Sequence, residues 1–251
     1  MKISATIITL DEEQNIEACI RSVQQVCDEV IVVDSGSRDA TRERAEALGA
    51  RLFVQEYLGD GPQKNYGVQF ASHDWILSID ADERLDDDAV DAIQALDLSH
   101  GDVDGYALKR RNFVGRHWVR AAGFYPDSVV RLYHRERAAY RPKKAHSSVA
   151  AERVEALDAH LSHFTYRDYA HWVERINALS SRDAWAMYER GVKPSAVAPA
   201  LHAFAAVIRK YLLKGGIFQG LDGATVTITT AFHAYMKYLK LIELHDEKSG
   251  R

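Results

Sequence analysis

Cysteine is scarce: Cys19 and Cys27 are the only two in 251 residues, and both fall in one expected helix and its end. No disulfide framework can be built from them, which fits a reducing compartment and leaves packing as their role. Long apolar runs are missing too. The uncharged stretch Ala224 to Met236 is well short of the roughly 20 residues a membrane span needs, and it holds Thr and His. The opening Met1-Lys2-Ile3-Ser4-Ala5-Thr6 has no signal-peptide layout, so a cytoplasmic location is expected. No Gly-x-Gly-x-x-Gly or Walker loop follows the first strand pattern, which disfavours dinucleotide and ATP sites of those types. No nucleic-acid motif and no dense Lys/Arg block with interleaved aromatics occurs, so nucleic acid is not an expected partner. What remains is ordinary for a soluble globular chain. With 47% hydrophobic and 27% charged residues, it can bury one large core, or one core and an appendage.

The net charge of −4 conceals an asymmetry. Residues 1–100 carry 8 Lys and Arg against 21 Asp and Glu, a net of −13, and residues 101–251 carry 24 against 15, a net of +9. An acidic half suits cations; a basic half suits phosphorylated substrates or an anionic membrane surface.

Strand and helix patterns alternate through the first half. Ile3 to Thr9 reads as a strand, Asn15 to Val26 as a helix with Ile16, Cys19, Ile20 and Val23 on one face, and Glu29 to Asp34 as a strand buried on both faces. A turn at Ser35-Gly36-Ser37 leads to a helix from Asp39 to Leu48 closed by Gly49. A strand at Arg51 to Gln55, a helix at Pro62 to Ala71 and a strand at Trp75 to Ile79 follow. The alternation predicts an α/β fold with parallel βαβ units and right-handed crossovers.

The Trp75 strand ends in Asp80-Ala81-Asp82-Glu83. Residues i and i+2 of a strand share a face, so Asp80 and Asp82 are expected to reach one hard cation, Mg²⁺ or Mn²⁺, with substrate phosphates completing its shell. The plainer alternative is a helix N-terminus, because Asp86-Asp87-Asp88 precede a helical pattern. The position favours a site, since open α/β sheets bind ligands beyond the carboxyl ends of their strands.

The strings TIITLDEEQNIEACIRSV, VIVVDSGSRDAT, QKNYG and WILSIDADE, in this order, resemble the N-terminal domain of family 2 glycosyltransferases with the GT-A fold. The resemblance implies a Rossmann-like, mostly parallel sheet flanked by helices over residues 1–160. A helical region, 161–251, would serve acceptor, membrane-surface or oligomer contacts. It implies a UDP-sugar donor flanked by Thr9, Leu10 and Glu12, with Asp34 and Ser37 near the ribose, Lys64 near the nucleotide, and Asp80 and Asp82 at the divalent cation. Each has a plainer alternative: Asp34 as an Asx cap of the next turn, Lys64 on a solvated helix face.

In the second half, GYALKRRNFVGRHW, GFYPDSVVRLYHR, HFTYRDY and the C-terminal YLLKGGIFQGLDGATVTITTAFHAYMKYLKLIEL resemble lipopolysaccharide inner-core β-1,4-glucosyltransferases. The implied reaction is inverting hexosyl transfer, of glucose first, by single displacement, with a carboxylate taking the proton of the acceptor hydroxyl. Asp127, after Tyr125-Pro126 and four residues before Arg131, is the expected base. Glu83 is its main competitor, and His146 a third candidate. A basic and aromatic patch with Arg110, Arg116 and Trp118, together with Arg131 and His146, would receive a lipid-linked glycan acceptor. Where that group tends to have His-Glu, this chain has His146-Ser147, so a carboxylate is missing or moved. The alternatives are a non-catalytic sugar-nucleotide or glycan-binding protein of the same fold, and a transferase acting on a polyprenyl phosphate.

Past residue 160, His160 and His163 are read as structural or acceptor-facing. Pro194 and Pro199 precede a helix, Leu201 to Leu213, whose apolar side is flanked by Arg209, Lys210 and Lys214. Such a helix can lie on an anionic bilayer, which would make the protein peripheral on the inner face of the inner membrane. Packing on the α/β domain or on a second subunit is the competing role for these helices. Gly215-Gly216 and Gly220 to Gly223 read as turns.

Overall fold

The computed structural model describes residues 2–99, 101–142 and 147–249. In chain order the elements are β1 (Ile3–Thr9), α1 (Ile16–Val23), β2 (Glu29–Asp34), α2 (Thr41–Ala47), β3 (Arg51–Val54), α3 (Asp60–Val68), β4 (Trp75–Asp80), β5 (Glu83–Leu85) and α4 (Asp87–Gln94). There follow β6 (Gly105–Val114), β7 (His117–Val119), β8 (Ser128–His134), β9 (Ala139–Tyr140), β10 (Val149–Ala150), β11 (Val154–Tyr166), α5 (Tyr169–Glu189), α6 (Ala198–Val207) and α7 (Gly220–Ser249). The chain divides into two compact units, one of residues 1–111 and 127–163, the other of residues 112–126 and 164–251. This division does not follow the expected boundary at residue 160. The segment 112–126 joins the helices because Phe124 packs on Trp172 and the Ala122 amide donates to Gln219 Oε1 at 2.6 Å.

The first unit is an α/β layer with strand order β3-β2-β1-β4-β8-β6-β11-β5. The expected parallel βαβ units are there as β3, β2, β1 and β4. From β4 onward the sheet is mixed, with β8 antiparallel to both β4 and β6, and β5 antiparallel to β11. The central strands are apolar on both faces, as a covered parallel sheet requires: Ile31 to Val33, Ile76 and Leu77 are all fully buried. The residues of α1 chosen for helical spacing, Ile16, Cys19, Ile20 and Val23, form its buried face in one core cluster with Ile7, Leu77 and Leu132. Both cysteines are free, and burial pushes the Cys19 thiol well above its ordinary pKa.

Register sets the site. Thr9 is level with Asp34, and Ile8 with Asp80, so three predicted residues end neighbouring strands on one edge of the sheet. Antiparallel pairing of Leu77 with Leu132 brings the start of β8, and Asp127 before it, to the same edge. Pairing of Glu83 with His163 adds the end of β11.

In the second unit the end of β6 pairs with β7, and α5, α6 and α7 pack together. Val114, Val119, Trp172, Ile176 and Val226 form one core there. The helix expected over Leu201 to Leu213 is α6 followed by a π-helical turn, Ile208–Leu213. Pro199 lies in the first turn of α6, where its missing amide costs nothing. The stretch Gly220 to Gly223, expected as a turn, begins α7. A Cβ on Gly223 would come 1.9 Å from the Gly216 carbonyl oxygen, so this glycine serves close backbone approach rather than a turn. Among the described residues no helix is long and apolar enough to cross a membrane.

Candidate functional site

At the carboxyl edge of the first unit, six side chains of alternating charge form a chain: Lys64, Asp80, Arg131, Glu83, Arg110 and Asp127. Lys64 comes from α3, and its Nζ lies 3.0 Å from Asp80 Oδ1 and 3.1 Å from Asp60 Oδ1. Arg131 Nη2 is 3.1 Å from Asp80 Oδ2 and 2.6 Å from Glu83 Oε1, while its Nη1 donates to the Tyr140 hydroxyl at 2.8 Å. Arg110 reaches Glu83 Oε1 at 3.3 Å through Nη1. Through Nε and Nη2 it holds Asp127 Oδ2 at 2.9 and 2.8 Å.

Opposite charges set the protonation states. Burial works against an ionised Asp80, but Lys64 and then Arg131 outweigh it and hold the carboxyl well below the usual range. Burial works against charge on Lys64 and Arg131 as well. Asp80 raises the first and Glu83 the second, so both stay cationic.

These contacts reassign several predicted residues. Glu83, a candidate base, is fully buried; one oxygen takes both arginines and the other accepts the Asp80 amide at 3.1 Å. A carboxylate so enclosed is a strut and cannot meet an acceptor hydroxyl. Arg131, expected at the acceptor, is buried beneath the edge and ties Asp80 to Glu83. Lys64 is buried rather than on a solvated helix face, with Tyr140's ring 5.0 Å from its Nζ. Asp34 is the Asx cap: Oδ1 accepts the Gly36 and Ser37 amides at 2.9 Å each, and Oδ2 bonds the Ser37 hydroxyl. Ser37 Oγ also accepts the Asp11 amide at 2.9 Å, which fixes the loop after β1. On that loop Leu10 is exposed, and Glu12 bonds Asn15 through its carboxylate at 2.7 Å. Thr9 ends β1 with its hydroxyl buried and, among the described residues, without a hydrogen-bond partner.

Asp80 and Asp82 do not share a strand face, because β4 ends at Asp80 and a turn carries Asp82. Asp82 Oδ2 instead faces His163 Nε2 at 3.3 Å. His163 was expected to be structural or acceptor-facing, and its pairing with Asp82 follows from the register of β5 on β11. Burial disfavours an imidazolium there, but Asp82 raises the His163 pKa, and His163 lowers that of Asp82. A carboxylate oxygen and an imidazole nitrogen at this separation fit two adjacent ligands of an octahedral divalent ion, which at bonds of about 2.1 Å stand roughly 3.0 Å apart. No group of three or more His, Cys, Asp or Glu among the described residues is arranged to hold a metal.

The missing carboxylate has a neighbour in place. The Ser147 amide donates to Asp60 Oδ2 at 2.7 Å, and Asp60 is the residue that also holds Lys64. Nothing in the sequence pattern singled out Asp60. His146 lies outside the described residues. Arg116 and Trp118 belong to the second unit, where Arg116 is exposed and Trp118 stands edge-on to Tyr125, with Arg120 over its other side at 4.6 Å.

The site lies at the carboxyl edge of parallel βαβ units, where α/β sheets bind ligands, and comparison with known proteins gives the family. Residues 4–156 match Glycosyl transferase family 2, and the chain belongs to that family. It is 31% identical to an uncharacterized glycosyltransferase of Rickettsia bellii over 97% of this chain and 87% of that one. It is 26% identical to LpsC of Rhizobium meliloti, a lipopolysaccharide core biosynthesis glycosyltransferase, over 99% of this chain and 95% of the other. Among solved structures, glucosyl-3-phosphoglycerate synthase of Mycobacterium tuberculosis matches 46% of this chain and 45% of its own at 30% identity, with a TM-score of 0.36. The protein is thus a glycosyltransferase.

Proposed function

We propose that this enzyme moves a hexose, glucose first among the candidates, from a UDP-sugar to a lipid-linked inner-core glycan, with inversion at the anomeric carbon. The observation that carries the reading is the joining of Asp127 to the Asp80 cluster through Arg110 and Glu83, with Asp82 and His163 alongside. Two separate jobs are then available on one edge of one sheet: seating a diphosphate and receiving a proton.

Asp82 and His163 would hold the divalent cation, which when bound neutralises charge developing on the departing diphosphate. Asp80 orients the same region through Lys64 and Arg131, and its salt bridges keep it anionic. The loops after β1 and β2, closed on one another by Ser37, form the wall for the nucleoside. Asp127 keeps its carboxylate partly exposed. Arg110 holds one of its oxygens and leaves the orientation set for taking the acceptor hydroxyl's proton as that oxygen bonds to the anomeric carbon. Electrons of the sugar–phosphate bond leave with UDP.

The likeness to LpsC along nearly the whole chain supports the lipopolysaccharide-core acceptor. The basic excess of residues 101–251 supports a phosphorylated one. A lipid-linked acceptor implies a transferase held at the inner face of the inner membrane. The test is a transfer assay with UDP-glucose, UDP-galactose and UDP-N-acetylglucosamine, against heptose-terminated inner-core lipid and against polyprenyl phosphate, with Mn²⁺ and with chelator. Transfer of one hexose to the inner-core lipid, abolished by chelator, is expected. Transfer to polyprenyl phosphate alone would move the assignment to that class, and binding of UDP-sugar without any turnover would favour the non-catalytic reading.

A further inference from the structure

The turn between α6 and α7 carries an unusual concentration of apolar surface. Leu212 and Leu213 end the π-helical turn, Ile217 and Phe218 lie in the following single 3₁₀ turn, and Leu221 opens α7. All five are exposed, with Phe218 at 89%, Leu221 at 80% and Leu213 at 77%. Side chains exposed to that degree stand out from the surface and line no groove. They suit penetration of a fluid apolar phase better than docking against a second rigid surface. Close backbone contact between Gly216 and Gly223 holds them there, since a side chain at either glycine would meet backbone atoms at under 3 Å.

The charge around this turn has one sign. Between Arg190 and Leu221 there is no Asp or Glu, and none occurs in residues 112–126. That second segment packs on the turn: Lys210 donates to the Ala122 carbonyl at 2.9 Å, and the Lys214 side chain passes Gly123. Arg116, Arg120, Arg209 and Lys214 are all exposed in this second unit. The first acidic residue after the turn, Asp222, is paired with His117 at 2.9 Å. Apolar projections set among cations without facing anions match the interface of a bilayer that bears anionic headgroups.

We infer that the 212–221 turn is a membrane seat, inserting Leu213, Phe218 and Leu221 among lipid chains while Arg116, Arg120, Arg209 and Lys214 meet anionic lipid headgroups. This deepens the lipid-linked reading above by naming its contact with the membrane, and it rests on that reading for the choice of membrane. The occupant is a lipid surface rather than a second copy of the chain, because the collar of like charges would repel its own image.

The test is co-sedimentation of the whole chain with phosphatidylcholine vesicles and with vesicles containing phosphatidylglycerol, without donor, acceptor or metal. Binding to the anionic vesicles, weakened by high salt, is expected. Phe218→Ser with Leu221→Ser should lower it by roughly a hundredfold, and Arg116→Gln with Arg209→Gln by roughly tenfold or more. Far-ultraviolet circular dichroism of both variants should match the parent, because all four side chains are exposed. Asp82→Ala should bind vesicles as the parent does, so failure of the catalytic reading leaves this result untouched. Equal binding to neutral and anionic vesicles would overturn the inference. So would a dimer in light scattering that the Phe218→Ser/Leu221→Ser variant dissolves, with no vesicle binding.

Discussion

Asp127→Asn is expected to lower kcat by about 10²- to 10⁴-fold, the span that a positioned general base contributes, while UDP-sugar affinity stays within about a factor of two. The asymmetry follows from where the carboxylate sits. Asp127 is held by Arg110, whereas Asp82 faces His163, so the proton acceptor and the proposed donor seat rest on different side chains. Asparagine keeps an oxygen for the Arg110 fork, so folding is unaffected and the deficit is chemical. Steady-state kinetics with a calorimetric donor titration separates the two effects. A variant with near-parental kcat would remove Asp127 from the role, and a variant that lost donor affinity instead would make it part of the nucleotide site.

Arg131→Met is expected to destabilise the enzyme by about 3–5 kcal/mol, the usual cost of removing one partner from a buried ion cluster. Glu83 is fully buried, and Arg131 is its nearest cation at 2.6 Å. Without it, among the described residues, the ion pair left to Glu83 is Arg110 at 3.3 Å, and that left to Asp80 is Lys64 at 3.0 Å. Lysine should not rescue the loss, because a single ammonium cannot reach Tyr140, Asp80 and Glu83 as the guanidinium fork does. Urea unfolding reads the effect as a lower midpoint at unchanged slope. A loss under about 1 kcal/mol would mean that the cluster relaxes or admits water when the arginine leaves.

The first half of the fold was legible because its signals are local. β1 and β2 span the predicted residues, and α1 buries the four predicted positions. Alternation of strand and helix also foretold the parallel βαβ units, and the four motifs named the family. Strand partners beyond β4 were not legible, because long-range antiparallel pairing leaves no periodic mark in sequence. That is why Asp60 was not singled out and the partner of His163 was not foreseen: each gains its meaning from a neighbour 81 or 87 positions away, Asp82 for His163 and Ser147 for Asp60. The same blindness made Glu83 look like a candidate base and Arg131 like an acceptor contact. Charged residues near a catalytic motif read alike whether they face a substrate or one another, and only burial separates the two.

The central claim is that Asp82 and His163 jointly seat a divalent cation with the donor diphosphate. Calorimetric titration of UDP with and without Mn²⁺, on the parent, Asp82→Ala and His163→Ala, tests it most directly. Metal-dependent binding in the parent, reduced by either substitution to the metal-free affinity, is the predicted result. UDP binding that is indifferent to Mn²⁺, or that survives both substitutions unchanged, would contradict it.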